Sequence, residues 1–552
     1  MSSRGFIRAF LGASIFIAFF FYVSFYRDLF SLASEWTGSG FIWPLQLFHN
    51  FLNGRAFQSS MCASLACGAS VGFSFNPHAF IHANVIHVNL TPYLFAPLWG
   101  LNPTPAWMYG IQAIWSLGGG LWFARSILRR LDPDDWRGKF AFASAVLLSS
   151  GLLSILNQLA QFLIFAGPMM LAMYDAALAK SRWRFAAWTI ALCLVTEDAA
   201  LVSMAFGAYF WLFERRRQEG ALAAGLGFAW LALIFIVVQP ASRAELTLTH
   251  GLNIKGVLSH IFSITPALLV RNIFSLIPAL TLLPALGLGA AVFRYGRGRR
   301  GWIGIAALAV LPALPHWGES GVVGGAHHLI TPFWGCFLAL LRLIGDARGR
   351  GVLSGAAWAW AAVYALVSFR ALVGNLPLEF KLPLLRVLRP AQARVLARGR
   401  AAESASNAAV QRAVAAIPKN DSLVYLGNIR ATGLVFDRSD VWEFPDQYDR
   451  VRYILIQKDA CDVNFVLRPE AGETLSRAIE RTATKENVRE QVLEPAVIAL
   501  IRRDLEKTHR IALENESVLL LENRNPRTPS SPPTTIGLGW LKNLGRRGEL
   551  AR

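Results

Sequence analysis

Charge is what this sequence has least of. Only 16% of its 552 residues are charged, where soluble domains carry about 25%. The chain is 54% hydrophobic with a mean hydropathy of +0.39. So few charges cannot cover that much apolar surface in water, and lipid is the solvent that accepts it. Cysteine is scarce too. Cys62, Cys67, Cys193, Cys336 and Cys461 are scattered and form no C-x-x-C, which argues against a zinc module or a disulfide framework. A Cys62–Cys67 bridge in an extracytoplasmic loop stays open beside the simpler reading of two small residues in a Ser/Ala/Gly stretch. There is no phosphate-cradling Walker loop and no nucleophile elbow, so an ATPase or a serine hydrolase has no support. No internal repeat is visible, and the two matched halves with broken helices expected of a secondary transporter are missing.

Acidic residues are few against basic ones, 35 to 54, for a net charge of +19. In a soluble protein that excess would point to nucleic acid. Here the arginines cluster in short stretches between apolar runs: Arg215 to Arg217, Arg294 to Arg300 and Arg348 to Arg350. Topology by the positive-inside rule explains them, and no nucleic-acid partner is expected.

Long apolar runs are what the sequence has in plenty. Arg4 and Arg8 precede the run Ala9 to Tyr26, which is long for a cleaved signal and reads as a retained signal anchor. Further segments lie at 86–101, 105–124, 140–157, 162–179, 186–212, 221–239, 266–293, 302–315, 328–344 and 352–373. At roughly 20 residues per crossing they predict about eleven transmembrane helices. Placing the arginine clusters in the cytoplasm puts loops 27–85, 240–265 and 316–327 outside, and the C-terminal end as well. One conflict arises: loops 125–139 and 180–185 are basic but fall outside. A break at Thr196–Asp198 that turns its helix into a re-entrant pair would bring both inside.

The expected fold is therefore an α-helical polytopic membrane protein of the inner (plasma) membrane with a small C-terminal α/β or α+β soluble domain. Residues 1–375 form the transmembrane domain, with an extracytoplasmic first loop at 27–85. In that loop Phe41–Leu52 is aromatic and too short to span, so it reads as a helix lying in the interface. Residues 376–522 form the extracytoplasmic soluble domain. Its stretch 383–417 is helical in period, with short strands at Ser422–Leu426, Leu434–Phe436 and Tyr453–Gln457. Arg510–Glu522 reads as a hairpin turning at Glu514–Glu516. The remainder, 523–552, is rich in Pro, Ser and Thr, basic, and expected to be disordered.

Several residues have types that carry chemistry. Glu197 and Asp198 interrupt an apolar run, and carboxylates inside a membrane face a cavity or a partner. They read as a substrate, ion or proton site, or as a structural anchor. His87 stands at the outer start of a run, five residues after His82, as a phosphate-holding or proton-carrying imidazole or a polar residue at the interface. Asp28 and Glu35 follow the first span on its outer side, each a candidate general base or a solvated charge. His316, Glu319, His327 and His328 bracket a glycine-rich loop with metal-ligand residue types but no specific spacing. No metal site is assigned from them, and a divalent metal stays open as a cofactor. Asp132, Asp134 and Asp135 sit among basic residues as a charge-balanced loop.

Together these stretches resemble a family of prokaryotic membrane proteins known as domain of unknown function 2079. The stretch Gln46 to Gly54 (QLFHNFLNG) is similar to the family's aromatic first-loop turn. His87 lies ten residues before Pro97-Leu98-Trp99, and Pro103, Pro105 and Gln112 follow. Thr196-Glu197-Asp198 matches a Lys-Glu-Asp, and His328 with Pro332-Phe333 matches the opening of a late span. Arg438 and Pro445 fall at matching places in the soluble part. The resemblance covers roughly residues 10 to 460. The chain departs from the pattern at Gly40, where the family has an aspartate, at Thr196, and at Gln158-Leu159-Ala160, where it has Asp-Phe-His.

The family is similar in architecture to the C-type glycosyltransferases, which take sugar from a polyprenyl-phosphate donor. That implies Glu35 or Asp28 as catalytic base, with His87, Glu197, Asp198, Gln46 and His328 as substrate-binding residues. The lipid bilayer and a polyprenyl-phosphate lipid are the implied partners. Gly40 favours the alternative, a non-catalytic membrane scaffold or envelope-assembly protein of the same architecture.

Overall fold

The computed structural model describes residues 39–55, 88–103, 105–148, 162–238, 307, 330–346, 405–427, 438, 440–445, 447–460, 463, 467–483 and 493–527. They are mostly helical, with one small C-terminal sheet. Two compact units divide them. The first helix, α1 (Ser39–Leu52), belongs with the C-terminal residues and is described with them.

The first unit is a helical bundle. It opens on a 3-10 turn, Thr91–Phe95, and the short α2 (Ala96–Gly100). Pro92 and Pro97 cannot supply interior amide donors, so helix forms here only in short pieces. The expected crossing at 86–101 is therefore corrected: over its described residues there are two helical turns and no span. The next helix is longer than expected. α3 (Pro105–Ala113) runs through a π-helical turn, Ile114–Gly119, into α4 (Gly120–Leu131). Its 27 residues reach about 40 Å. Then come α5 (Trp136–Val146), α6 (Ala166–Leu178), α7 (Arg182–Cys193), α8 (Glu197–Leu212), α9 (Arg217–Leu233) and α10 (Ile330–Asp346). The helix of α9 continues in π form to Val238, and over Arg217–Val238 it is long and apolar enough to cross a bilayer. Expected spans at 9–26, 266–293 and 352–373, and all of 302–315 except residue 307, lie outside the described residues.

The unit is apolar both at its centre and on its exterior. Its centre is α6, buried from Ala166 to Ala177. Large apolar side chains also stand on the exterior, with Leu94 75%, Leu101 76%, Trp122 67%, Trp183 74% and Phe228 64% exposed. Small residues let the backbones of α8 and α9 approach closely. A Cβ on Gly207 of α8 would lie 2.7 Å from the Ala224 backbone nitrogen of α9, and one on Gly227 would lie 2.7 Å from the Ala200 carbonyl. Ser203 Oγ donates to Ala223 O at 3.0 Å across the same seam. Such contacts let dispersion and backbone approach hold helices together where lipid removes the hydrophobic drive.

The single helix expected at 186–212 is also corrected: the chain breaks into two helices at the place where the re-entrant alternative put the break. Helix α7 ends at Cys193, the chain turns at Leu194 and Val195, and α8 begins at Glu197. The two pack antiparallel: Phe185, near the start of α7, meets Phe210, near the end of α8, with ring centroids 5.4 Å apart. Just past α8, Arg216 donates to the carbonyl of Ala177, at the end of α6, the helix that leads into α7. With 12 and 16 residues, the two helices reach only about 18 and 24 Å, short of a hydrocarbon core of about 30 Å.

The second unit contains α1, a helix over 405–415 (α11), α12 (Leu475–Ala483), α13 (Pro495–Leu505) and a five-stranded sheet. The strands are β1 (Leu423–Leu426), β2 (Val441–Glu443), β3 (Tyr453–Gln457), β4 (His509–Glu514) and β5 (Val518–Asn523), in the order β2-β1-β3-β5-β4. β1 runs parallel to β2 and β3, while β5 is antiparallel to β3 and β4. Central strands read as continuous apolar runs because both faces are covered. Val424, Ile454, Ile456, Leu519 and Leu521 share one core with Ala478, Ile479, Val497 and Ile501. Their alternates Leu423, Tyr425, Leu455 and Leu520 are equally buried.

β1, β3 and the terminal hairpin fall where the sequence put them. The expected strand Leu434–Phe436 lies outside the described residues. The ordered chain passes the expected boundary at 522: β5 includes Asn523, and Arg527 N donates to Arg450 O at 3.0 Å. Helix α1 is present, but its residues Leu45 to Phe48 are buried by protein, which corrects the expectation of a helix lying in the interface.

Candidate functional site

The turn between α7 and α8 leads directly into the two carboxylates. Thr196 adopts an extended conformation and caps α8, its Oγ1 accepting from Ala199 N at 3.1 Å. A β-branched hydroxyl residue suits that position, because it satisfies one of the orphan amides of the first turn. Glu197 and Asp198 then occupy that first turn, where the helix dipole favours negative charge. Glu197 is buried at 8% exposure and Asp198 is half-buried. Each of the two residues takes part in at least one further interaction within the unit.

The chain that follows His87 is stitched to this turn. Leu90 N and Thr91 N both donate to Leu194 O, at 2.8 and 3.0 Å. Thr91 Oγ1 donates to Ala191 O at 2.8 Å. These bonds satisfy carbonyls that the last turn of α7 would otherwise leave without partners. Asn89 and Thr91 are buried there. An aromatic wall stands behind: Phe95 stacks on Phe165 at 4.3 Å and meets Trp115 edge-on at 5.3 Å. The structure thus brings the segment beginning one residue after His87 to the Glu197–Asp198 turn, about a hundred residues away in sequence.

His87, His328, Asp28 and Glu35 themselves lie outside the described residues, as do His316, Glu319 and His327. Among the described residues no group of three or more His, Cys, Asp or Glu side chains is placed to share a metal ion. Gln46 lies in the second unit. Fully buried, it donates from Nε2 to Arg438 O at 3.0 Å. The Arg438 guanidinium caps the end of α11, donating to Val414 O, Ile417 O and Pro418 O at 3.0, 2.6 and 2.6 Å. Arg55, just past α1, pairs with Asp440 at 2.8 Å. In this structure Gln46 and Arg438 tie the first-loop helix and α11 into the C-terminal unit.

The opposite end of the bundle is a layer of charge that sequence reasoning missed. Asp175, nearly fully buried, accepts from Ser126 Oγ at 2.6 Å and pairs with Arg130 at 2.8 Å and Arg184 at 3.7 Å. Buried Lys139 pairs with Asp132 and donates to Gly345 O at 3.0 Å. Glu214 accepts from Tyr209 at 2.8 Å and Tyr174 at 3.3 Å, beside Arg342 at 3.7 Å. The signal was available: Asp175 is a lone carboxylate within an apolar run. These pairs join the ends of α4, α6, α8 and α10 to the starts of α5 and α7. The basic loops at 125–139 and 180–185 therefore lie at the same end as Arg215–Arg217, and the charge conflict in the sequence disappears.

A search of curated proteins and a search of solved structures each found no match. The sequence profile of the family described as predicted membrane protein (DUF2079) matches residues 44–481. With most of its length covered by that match, the chain belongs to the DUF2079 family of membrane proteins.

Proposed function

We propose that this protein is a multi-pass glycosyltransferase of the C-type architecture, taking sugar from a polyprenyl-phosphate donor at the membrane face opposite its basic end. The observation that carries the reading is the pair of bonds from Leu90 N and Thr91 N to Leu194 O. They hold the chain after His87 against a re-entrant tip bearing two carboxylates. A re-entrant, polar tip is tolerated at membrane depth only where protein or a water-filled cavity receives it. Transfer from a lipid phosphate needs a base for the acceptor and a partner for the leaving phosphate. Glu35 is the preferred base and Asp28 the second choice, because Asp28 follows Arg27 and pairs readily with it. His87 and His328 would hold phosphate, and Glu197 and Asp198 would orient the donor.

Topology supports the same face. Taking 86–101 and 186–212 out of the crossings leaves about nine, still odd, with every basic cluster on one side. The C-terminal unit and loop 27–85 then lie outside the cytoplasm. The test is transfer of labelled sugar from a panel of polyprenyl-phosphate donors by the full-length protein. Glu197→Gln, Asp198→Asn and Glu35→Gln are compared with wild type. Loss of a general base costs about 10²–10⁴ in rate, and unchanged transfer by Glu35→Gln removes that residue from the mechanism. The second reading, a non-catalytic scaffold, is favoured by the packing roles of Gln46 and Arg438. Absence of transfer by wild type across the whole panel would select it.

A further inference from the structure

A groove of about 500 Å³ opens on the helical unit between α4 and α5. One end of it is lined by Gly118, in the π-helical turn Ile114–Gly119. A Cβ placed on Gly118 would meet nothing within 4 Å, so the groove is open there. Wide π turns often mark functional positions in helices. Leu121 and Phe140 give the groove an apolar lining.

Two guanidiniums share one indole at its edge. Arg125 and Arg137 lie 5.4 and 5.8 Å from the ring centroid of Trp136. Both side chains are exposed. Several other basic residues at this end take carboxylates: Arg130 and Arg184 take Asp175, Lys139 takes Asp132, and Arg342 takes Glu214. Among the described residues Arg125 and Arg137 take none, although Asp134 and Asp135 lie in the same turn. Stacking on an indole fixes a guanidinium while leaving its N–H donors free for an anion. Trp122 lines the groove and stands 67% exposed, as interfacial tryptophans do.

Fixed, unneutralised guanidiniums above an apolar lining, at the basic end of a membrane bundle, match one ligand chemistry. We propose that this groove binds an anionic phospholipid of the adjoining leaflet. The phosphodiester sits on Arg125 and Arg137, and acyl chain lies along Leu121 and Phe140. Basic pockets between helices on the cytoplasmic side recognise lipid headgroups by this combination. A soluble phosphate compound would make no use of the apolar lining.

The test uses the full-length protein and native mass spectrometry of bound lipid, with phosphatidylglycerol against phosphatidylcholine. Each basic side chain near a charged lipid surface contributes on the order of fivefold in affinity. The double variant Arg125→Gln/Arg137→Gln should therefore lose about thirtyfold for phosphatidylglycerol. Arg129→Gln, at an exposed arginine outside the groove, should leave binding unchanged. Gly118→Leu should obstruct binding while the thermal midpoint in lipid-free detergent stays that of wild type, since its side chain enters open space. Equal affinity for the two lipids would overturn the proposal. So would equal loss in Arg129→Gln, or displacement of phosphatidylglycerol by glycerol phosphate at matched concentration.

Discussion

Replacing Gly207 by alanine tests the close backbone contact between α8 and α9. The added methyl would lie 2.7 Å from Ala224 N, 2.8 Å from Ala224 Cβ and 2.8 Å from Gly220 O. All three are backbone or Cβ atoms, so no flexible side chain can swing away and α8 and α9 must separate. Overpacking of this kind costs about 1–3 kcal/mol. Alanine returns about 0.5–1 kcal/mol in helix propensity, which leaves a net destabilisation of about 1–2 kcal/mol. Gly225→Ala is the matched control on α9. A Cβ there meets nothing within 4 Å, so only the propensity gain of about 0.5–1 kcal/mol remains, with the opposite sign. Thermal unfolding of both variants in the same detergent or nanodisc reads the contrast. Because α8 carries Glu197 and Asp198 at its start, Gly207→Ala should also lower sugar transfer, if the proposed function holds. Two variants shifted in the same direction by the same amount would refute the close-packed seam.

Arg438→Met should destabilise the C-terminal unit by about 3 kcal/mol or more, because three carbonyls lose a charged donor; denaturant unfolding of the full-length protein measures it. His509 is buried, and burial pushes its imidazole below the usual histidine range. The unfolded chain then binds more protons below about pH 6.5, so stability should fall as pH drops from there, and His509→Gln should flatten that slope in melts between pH 7.5 and 5. Arg510 and Arg452 hold the Glu522 carboxyl below its ordinary value, so a separate loss below about pH 4.5 should survive in His509→Gln. A reporter active only in the cytoplasm, fused after Asn523, should stay silent; a strong signal would overturn the proposed topology.

Sequence by itself determined the solvent. Too few charges for so much apolar surface required lipid, and interfacial arginine clusters required a charged end. It also determined the local elements whose signals are local: the strands at 423–426 and 453–457, the terminal hairpin, and the helix at Phe41–Leu52. It singled out Glu197 and Asp198 because carboxylates are costly in hydrocarbon. Tertiary structure decided what depends on partners distant in sequence. A run of 27 apolar-rich residues from 186 to 212 has the same hydropathy whether it crosses once or doubles back. Only the Phe185–Phe210 contact and the capping of Leu194 by Leu90 and Thr91 distinguish the two. Gln46 and Arg438 read as members of a motif, yet what each does follows from which carbonyl lies within 3.0 Å. Asp175 is one carboxylate in an apolar run until Ser126, Arg130 and Arg184 converge on it from neighbouring helices. Hydropathy is a property of a segment, and pairing is a property of two. The sequence is a single line along which the second partner carries no mark.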